Sequence, residues 1–69
     1  MKGGDVMEEE RIVASFLEQG RRKCMDYLIE THQGSAQAIN MECLAMTDTE
    51  IASWCKDVAL ELKEKLAMA

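Results

Sequence analysis

The chain has 69 residues, of which 48% are hydrophobic, 30% are charged and 4% are aromatic, and its net charge is −5. This length allows one domain with a marginal core. No apolar run is long enough to span a membrane, and no signal-peptide segment follows Lys2. The negative charge disfavours general binding to nucleic acid. Three cysteines without paired spacing favour a reducing cytoplasm over a secreted disulfide framework.

The first predicted element is a long amphipathic helix over residues 5–32, after a disordered start at residues 1–4. Asp5 and Glu8 have the pattern of a helix N-cap and its third-position acid. A single apolar stripe then recurs at helical spacing, and it contains Val6, Val13, Phe16, Leu17, Gly20, Cys24, Tyr27 and Leu28. Because a glycine within this stripe weakens the helix, we expect another backbone to approach Gly20 closely. The alternative is a break there into two helices.

A short helix and a second long helix follow. The sequence Gln33-Gly34-Ser35 is typical of a C′ glycine followed by an N-cap serine, which predicts a helix over residues 36–45. Thr47 and Glu50 have the spacing of a capping box, which predicts the last helix over residues 48–67. The apolar residues of that helix share one face, and they are Ile51, Trp54, Cys55, Val58, Leu62 and Leu66.

These elements predict an all-α fold in one domain over residues 1–69, a helical hairpin of two long helices with a short connecting helix. Met25 and Ile29 form a second apolar strip on the first helix, so the hairpin has more apolar surface than it can cover. Because this surface would otherwise stay exposed, we predict a homodimer with a four-helix-bundle-like core. The alternative is that the middle helix covers this strip and fills the core of a single chain. The residues expected at the dimer interface are Phe16, Gly20, Met25, Tyr27, Ile29, Trp54, Val58 and Leu62.

Few residues in this chain are suited to catalysis or metal binding. Cys24, Cys43, Cys55 and His32 are its only soft metal ligands, and 18 and 11 residues separate successive cysteines. Structural zinc sites usually contain closely spaced pairs, so we expect the cysteines to pack in the core as small apolar residues. The sequence also lacks the common catalytic and nucleotide-binding motifs. We therefore predict no enzyme activity, no cofactor, no metal and no catalytic residue.

The only basic cluster consists of Arg21, Arg22 and Lys23. On a helix these side chains spread over roughly 200°, so we expect a solvated face, or a contact with an acidic partner or with the acidic face of a second copy. A helix-turn-helix over residues 35–62 is the alternative interpretation. Its recognition helix would begin Asp48-Thr49-Glu50, and these acids disfavour contact with DNA.

Two segments, MEEERIVASFLEQ at residues 7–19 and TDTEIASWCKDVAL at residues 47–60, resemble the small early proteins of lambda-like phages. The chain is similar in size and helical layout to the short open-reading-frame proteins of the exo–xis region. The resemblance implies a small helical dimer in the host-cell cytoplasm that biases lytic against lysogenic development or modulates a host factor. We therefore predict a protein–protein interaction module; a small DNA-binding regulator is the alternative.

Overall fold

The structure is a computed structural model that describes the backbone of residues 2–68 and the side chains of residues 8–67. The described residues form four helices and no strand: α1 (Lys2–Gln19), α2 (Arg21–Glu30), α3 (Ala36–Leu44) and α4 (Asp48–Met68). The predicted all-α fold class is therefore confirmed. None of these helices combines the length and the apolar character that a membrane span requires.

Helix α1 begins earlier than predicted. It starts at Lys2, so Asp5 lies inside the helix and is not its N-cap. The predicted disordered start is wrong for residues 2–4, and Met1 lies outside the described residues. Two glycines weaken a helix by about 1 kcal/mol each, but they introduce no clash and remove no amide donor as proline would. The helix therefore extends through them.

Gly20 separates α1 from α2. Its backbone has φ 102° and ψ 159°, a region that is open essentially to glycine alone. The prediction of one unbroken helix over residues 5–32 is wrong at this position, and the alternative of two helices is confirmed. A close backbone approach is wrong as well, because a Cβ at Gly20 would meet no atom within 4 Å. The break brings the rings of Phe16 and Tyr27 to a centroid separation of 5.1 Å, so α1 folds back toward α2.

We expect Gly20→Ala to lower the free energy of unfolding by about 1–3 kcal/mol, because an L-residue is strained at this φ and ψ. Helix propensity alone predicts the opposite sign, a gain of about 1 kcal/mol. Urea denaturation measures the change. Ser15→Ala, at an exposed position of α1, is the control that has only the propensity effect. A Gly20→Ala protein more stable than the parent would contradict the break between α1 and α2.

Helix α2 ends in a Schellman motif. The amide of His32 donates to the carbonyl of Ile29 at 3.0 Å, and the amide of Gln33 donates to the carbonyl of Leu28 at 3.1 Å. His32 has φ 60°, which is the left-handed conformation of the C′ residue in this motif. The assignment of C′ to Gly34 is therefore wrong. The chain turns two residues earlier because these two bonds satisfy the final carbonyls of α2.

The predicted caps of α3 and α4 are both present. The Ser35 hydroxyl accepts a hydrogen bond from the amide of Ala38 at 3.1 Å. The amide of Thr47 donates to the Glu50 carboxylate at 2.8 Å, and the amide of Glu50 donates to the Thr47 hydroxyl at 3.2 Å. This reciprocal pair is a complete capping box. Both helices begin where the sequence predicts.

Helix α4 packs against both α1 and α2, and α3 packs against α2. Helix α1 runs antiparallel to α4, since Glu8 near the start of α1 meets Lys63 at 2.8 Å, while Leu17 near its end lines a groove together with Thr49 at the start of α4. The hydrogen bond from Lys63 lowers the pKa of the Glu8 carboxyl. The long first helix predicted for the hairpin is therefore replaced by two helices, α1 and α2, which pack against each other and against α4.

The buried core is formed by residues of α2, α3 and α4. Its members are Cys24, Leu28, Ile39, Cys43, Ile51, Ala52, Cys55 and Val58. The side chain of Phe16 in α1 packs against this cluster from outside. A single chain therefore encloses a continuous core by itself.

Candidate interaction surface

Most of the predicted interface residues pack within their own chain. Val58 is buried in the core, and five others are partly buried against it, namely Phe16, Met25, Tyr27, Ile29 and Trp54. Gly20 lies at the break between α1 and α2, and Leu62 remains 40% exposed. Most of these side chains therefore pack inside the folded chain, and the apolar surface that a partner could contact lies at other residues.

The three cysteines meet in the core although they are distant in sequence. The Cys24 thiol donates to the carbonyl of Phe16 at 3.2 Å, and the Cys55 thiol donates to the carbonyl of Cys24 at 3.3 Å. Cys43 is buried in the same cluster. These contacts join α1, α2 and α4, and the prediction that the cysteines pack in the core is confirmed.

Burial keeps these thiols protonated at neutral pH. It raises the pKa of Cys24 and of Cys43, and it raises the pKa of Cys55 to about 12. The thiolate is the form that attacks substrates and binds metals, so this cluster is poorly suited to either role. Among the described side chains, no group of three or more His, Cys, Asp or Glu residues is arranged to hold a metal ion.

Arg21 ties the start of α2 to the turn between α3 and α4. Its guanidinium donates to the carbonyl of Cys43 at 2.9 Å and to the carbonyl of Met46, and it lies 3.3 Å from the Asp48 carboxylate. Carbonyls at a helix C-terminus have no partner within the helix, and Arg21 adds a charged donor here, although the Cys43 carbonyl also accepts from the Met46 amide at 3.1 Å. Arg21 is exposed, as expected for a solvated face, and it also makes these contacts within its own chain.

We expect Arg21→Ala to lower the free energy of unfolding by about 2 kcal/mol, because two carbonyls lose a charged donor. Arg22→Ala is the matched control. Arg22 is exposed and forms no ion pair with the described side chains, so its loss should change stability by less than about 0.5 kcal/mol. Urea denaturation followed by circular dichroism compares the two variants. Equal effects would contradict the specific role of Arg21.

A groove with an apolar floor lies between α2 and α3, and we call it the α2–α3 groove. It encloses 580 Å³, and a smaller apolar hollow continues it toward Leu44 at the end of α3. Met25 and Ile29 line the groove, and Arg21, Arg22 and Asp26 stand at its rim. Beside it, Met41 is 65% exposed and Leu44 is 82% exposed. This edge of the molecule therefore combines apolar side chains with two basic residues and one acidic residue.

A second groove lies between α1 and α4, and we call it the α1–α4 groove. It encloses 440 Å³ and its apolar floor consists of Val13, Ala14 and Leu17. Glu9, Glu10 and Lys56 line it as well. The Lys56 ammonium lies 2.7 Å from the Asp57 carboxylate and 3.8 Å from that of Glu9, so its charge is already compensated. The rim is therefore acidic at Glu10.

The chain matches no protein-family model, no curated protein and no solved structure. Its functional interpretation therefore depends on the grooves and side chains described above.

Proposed function

We propose that this chain is a non-enzymatic helical protein–protein interaction module that binds another protein at the α2–α3 groove. The observation that carries the proposal is the exposure of Met41 and Leu44 beside an apolar groove. Apolar surface in water costs about 25 cal/mol for each Å², and contiguous exposed patches are typical of binding sites. A partner that covers these side chains would recover that free energy.

The chemistry of the described residues favours binding over catalysis. Catalytic acids and bases are commonly placed where burial perturbs their pKa. Among the side chains that the structure describes, the buried ones are all hydrophobic. Among the titratable groups of residues 8–67, the Cys55 thiol has the large pKa shift, since burial raises its pKa, and its nucleophilic form is thereby suppressed.

We further propose that the module acts as a homodimer in the cytoplasm. The resemblance to small early proteins of lambda-like phages supports a role in infection, in which the protein modulates lytic against lysogenic development or a host factor. In that role it requires binding surfaces and no catalytic site. Met, which is abundant here with six residues, is favoured on surfaces that adapt to their partners.

A comparison of two baits tests the proposed site. Leu44→Glu places a charge on the exposed apolar patch, whereas Ala38→Glu places the same charge on the same helix at an exposed position about 120° around the helix from Leu44. We expect a protein captured from host cells by the wild-type and Ala38→Glu baits to be lost with Leu44→Glu. Retention of every captured protein by the Leu44→Glu bait would overturn the proposal.

The alternative of a small DNA-binding regulator rests on α3, the turn at residues 45–47 and α4 as a helix-turn-helix. The acids in the first turn of α4, Asp48 and Glu50, would face the phosphates or base edges that a recognition helix approaches. Titration of labelled duplex DNA at low salt tests this alternative. We expect no binding, whereas a regulator would bind with an affinity that falls steeply as salt is added.

A further inference from the structure

Helix α1 lies against the outside of the buried core. The core residues belong to α2, α3 and α4, and α2 packs against both α3 and α4. Among the described side chains of α1, at residues 8–19, none is buried, and Ile12, Val13 and Phe16 are partly buried. The contacts among α2, α3 and α4 would therefore persist if α1 moved away.

Two ion pairs join α1 to α4 at the surface. Glu8 lies 2.8 Å from Lys63, and both side chains are largely exposed. Glu9 lies 3.8 Å from Lys56, which is long for a charge-assisted hydrogen bond. Exposed pairs contribute little to stability, because water and salt screen them. These charges therefore hold α1 in place only weakly.

Gly20 has the properties of a hinge. Its amide donates to the carbonyl of Phe16 at 3.3 Å within the last turn of α1, and its carbonyl accepts from the amide of Cys24 at 3.1 Å within the first turn of α2. A rotation about φ and ψ of Gly20 therefore breaks neither helix. No atom lies within 4 Å of a Cβ built on this residue, and glycine has access to more backbone conformations than other residues.

Phe16 contacts α2 directly on the far side of this hinge. Its ring centroid lies 5.1 Å from that of Tyr27, and its carbonyl accepts a hydrogen bond from the Cys24 thiol at 3.2 Å. The Cys24 residue is 2% exposed. A rotation that lifts α1 from α2 and α4 would separate both contacts and admit water to this thiol.

We propose that α1 is a hinged strap that opens about Gly20 while α2, α3 and α4 stay folded, and that this opening controls access to the Cys24 thiol. In the closed state the thiol is covered and protonated. In the open state it meets solvent, where it can ionise and react. Openings of one structural unit require less free energy than global unfolding. The α2–α3 groove lies on helices that remain folded in both states.

Alkylation of the full reduced chain by iodoacetamide, with each modified thiol located by peptide mass mapping, tests the strap. We expect Cys24 to react at least about tenfold faster than Cys43, because Cys24 needs only the strap to open. Ile39→Val weakens the core at a residue of α3 that is 1% exposed. It should speed alkylation of Cys43 about fivefold and leave that of Cys24 unchanged.

Charge reversal at the strap gives a second variant with a matched control. Lys63→Glu replaces the pair with Glu8 by two like charges, so it should speed alkylation of Cys24 about threefold. Lys65→Glu makes the same change at an exposed residue that forms no ion pair with a described side chain, and it should have no effect. Circular dichroism checks that every variant is folded.

Hydrogen exchange measures the strap itself. The amides of α1 should share one free energy of opening that lies below that of the Leu28 and Ile51 amides in the core. Protection that rises steadily from the start of α1 to its end would indicate fraying and would overturn the hinge. Equal alkylation rates at Cys24 and Cys43, both raised by Ile39→Val, would overturn the inference as well, because both thiols would then become accessible only by global unfolding.

Discussion

Leu28→Ala is expected to lower the free energy of unfolding by about 3 kcal/mol. Leu28 is 0% exposed and belongs to the core cluster. Truncation of a fully buried leucine costs about 2–5 kcal/mol, because transfer free energy is lost and a cavity remains. A chain of this length has a total stability of only about 3–10 kcal/mol. The variant should therefore be partly unfolded at about 37 °C.

Leu66→Ala is the matched control, since it makes the same substitution near the end of α4 where Leu66 is 79% exposed. We expect its stability to change by less than about 0.5 kcal/mol. Urea denaturation followed by circular dichroism and by Trp54 fluorescence gives both values. Similar losses in the two variants would mean that Leu28 does not lie in a close-packed core, and the arrangement of α2 against α3 and α4 would be contradicted.

Local patterns allowed the starts of α3 and α4 to be predicted from the sequence. The capping box of Thr47 and Glu50 needs only residues three apart, and both of its hydrogen bonds are present. The cap at Ser35 is equally local. Signals of this kind depend on backbone amides within one turn, so the rest of the fold does not alter them.

The break at Gly20 could not be decided in the same way. The apolar stripe continues through residue 20 with the helical period, and a glycine costs a helix only about 1 kcal/mol. Packing of α1 against both α2 and α4 stabilises the broken arrangement, and this packing involves residues distant in sequence. Helical period therefore predicted part of the inward-facing set, since Leu17, Leu62 and Leu66 of the predicted stripes are exposed, while the tertiary contacts determined where the helix ends.

The candidate site was only partly predictable for the same reason. Arg21, Arg22 and Lys23 are adjacent in sequence, yet only Arg21 reaches the carbonyls of Cys43 and Met46. The position of the α3 C-terminus relative to α2 makes this difference, and no local pattern encodes it. The meeting of three cysteines separated by 18 and 11 residues depends likewise on how α2, α3 and α4 pack.

Alkaline pH is expected to destabilise the fold strongly through the buried thiols. An unfolded cysteine has a pKa of about 8.5, whereas burial raises the pKa of Cys55 to about 12 in the folded protein. Between these values the unfolded chain releases a proton that the folded chain retains, so stability falls as pH rises. Each pH unit in this window costs about 1.4 kcal/mol for one such thiol. Below the unfolded pKa the stability from this thiol is fully retained.

From pH 9 to pH 11 the loss due to Cys55 alone therefore reaches about 3 kcal/mol, comparable with the truncation of Leu28. The raised pKa values of Cys24 and Cys43 act in the same direction. Urea denaturation at several pH values under reducing conditions measures the slope. Cys55→Ser is the control, because serine retains a donor for the Cys24 carbonyl and does not titrate in this range. The free energy of unfolding of this variant should fall less steeply with pH than that of wild type. The two slopes should differ by about 1.4 kcal/mol for each pH unit. The raised pKa values of Tyr27, Lys56 and Lys63 are common to both proteins. Parallel curves of stability against pH would therefore show that the Cys55 thiol ionises as readily in the folded chain as in the unfolded one.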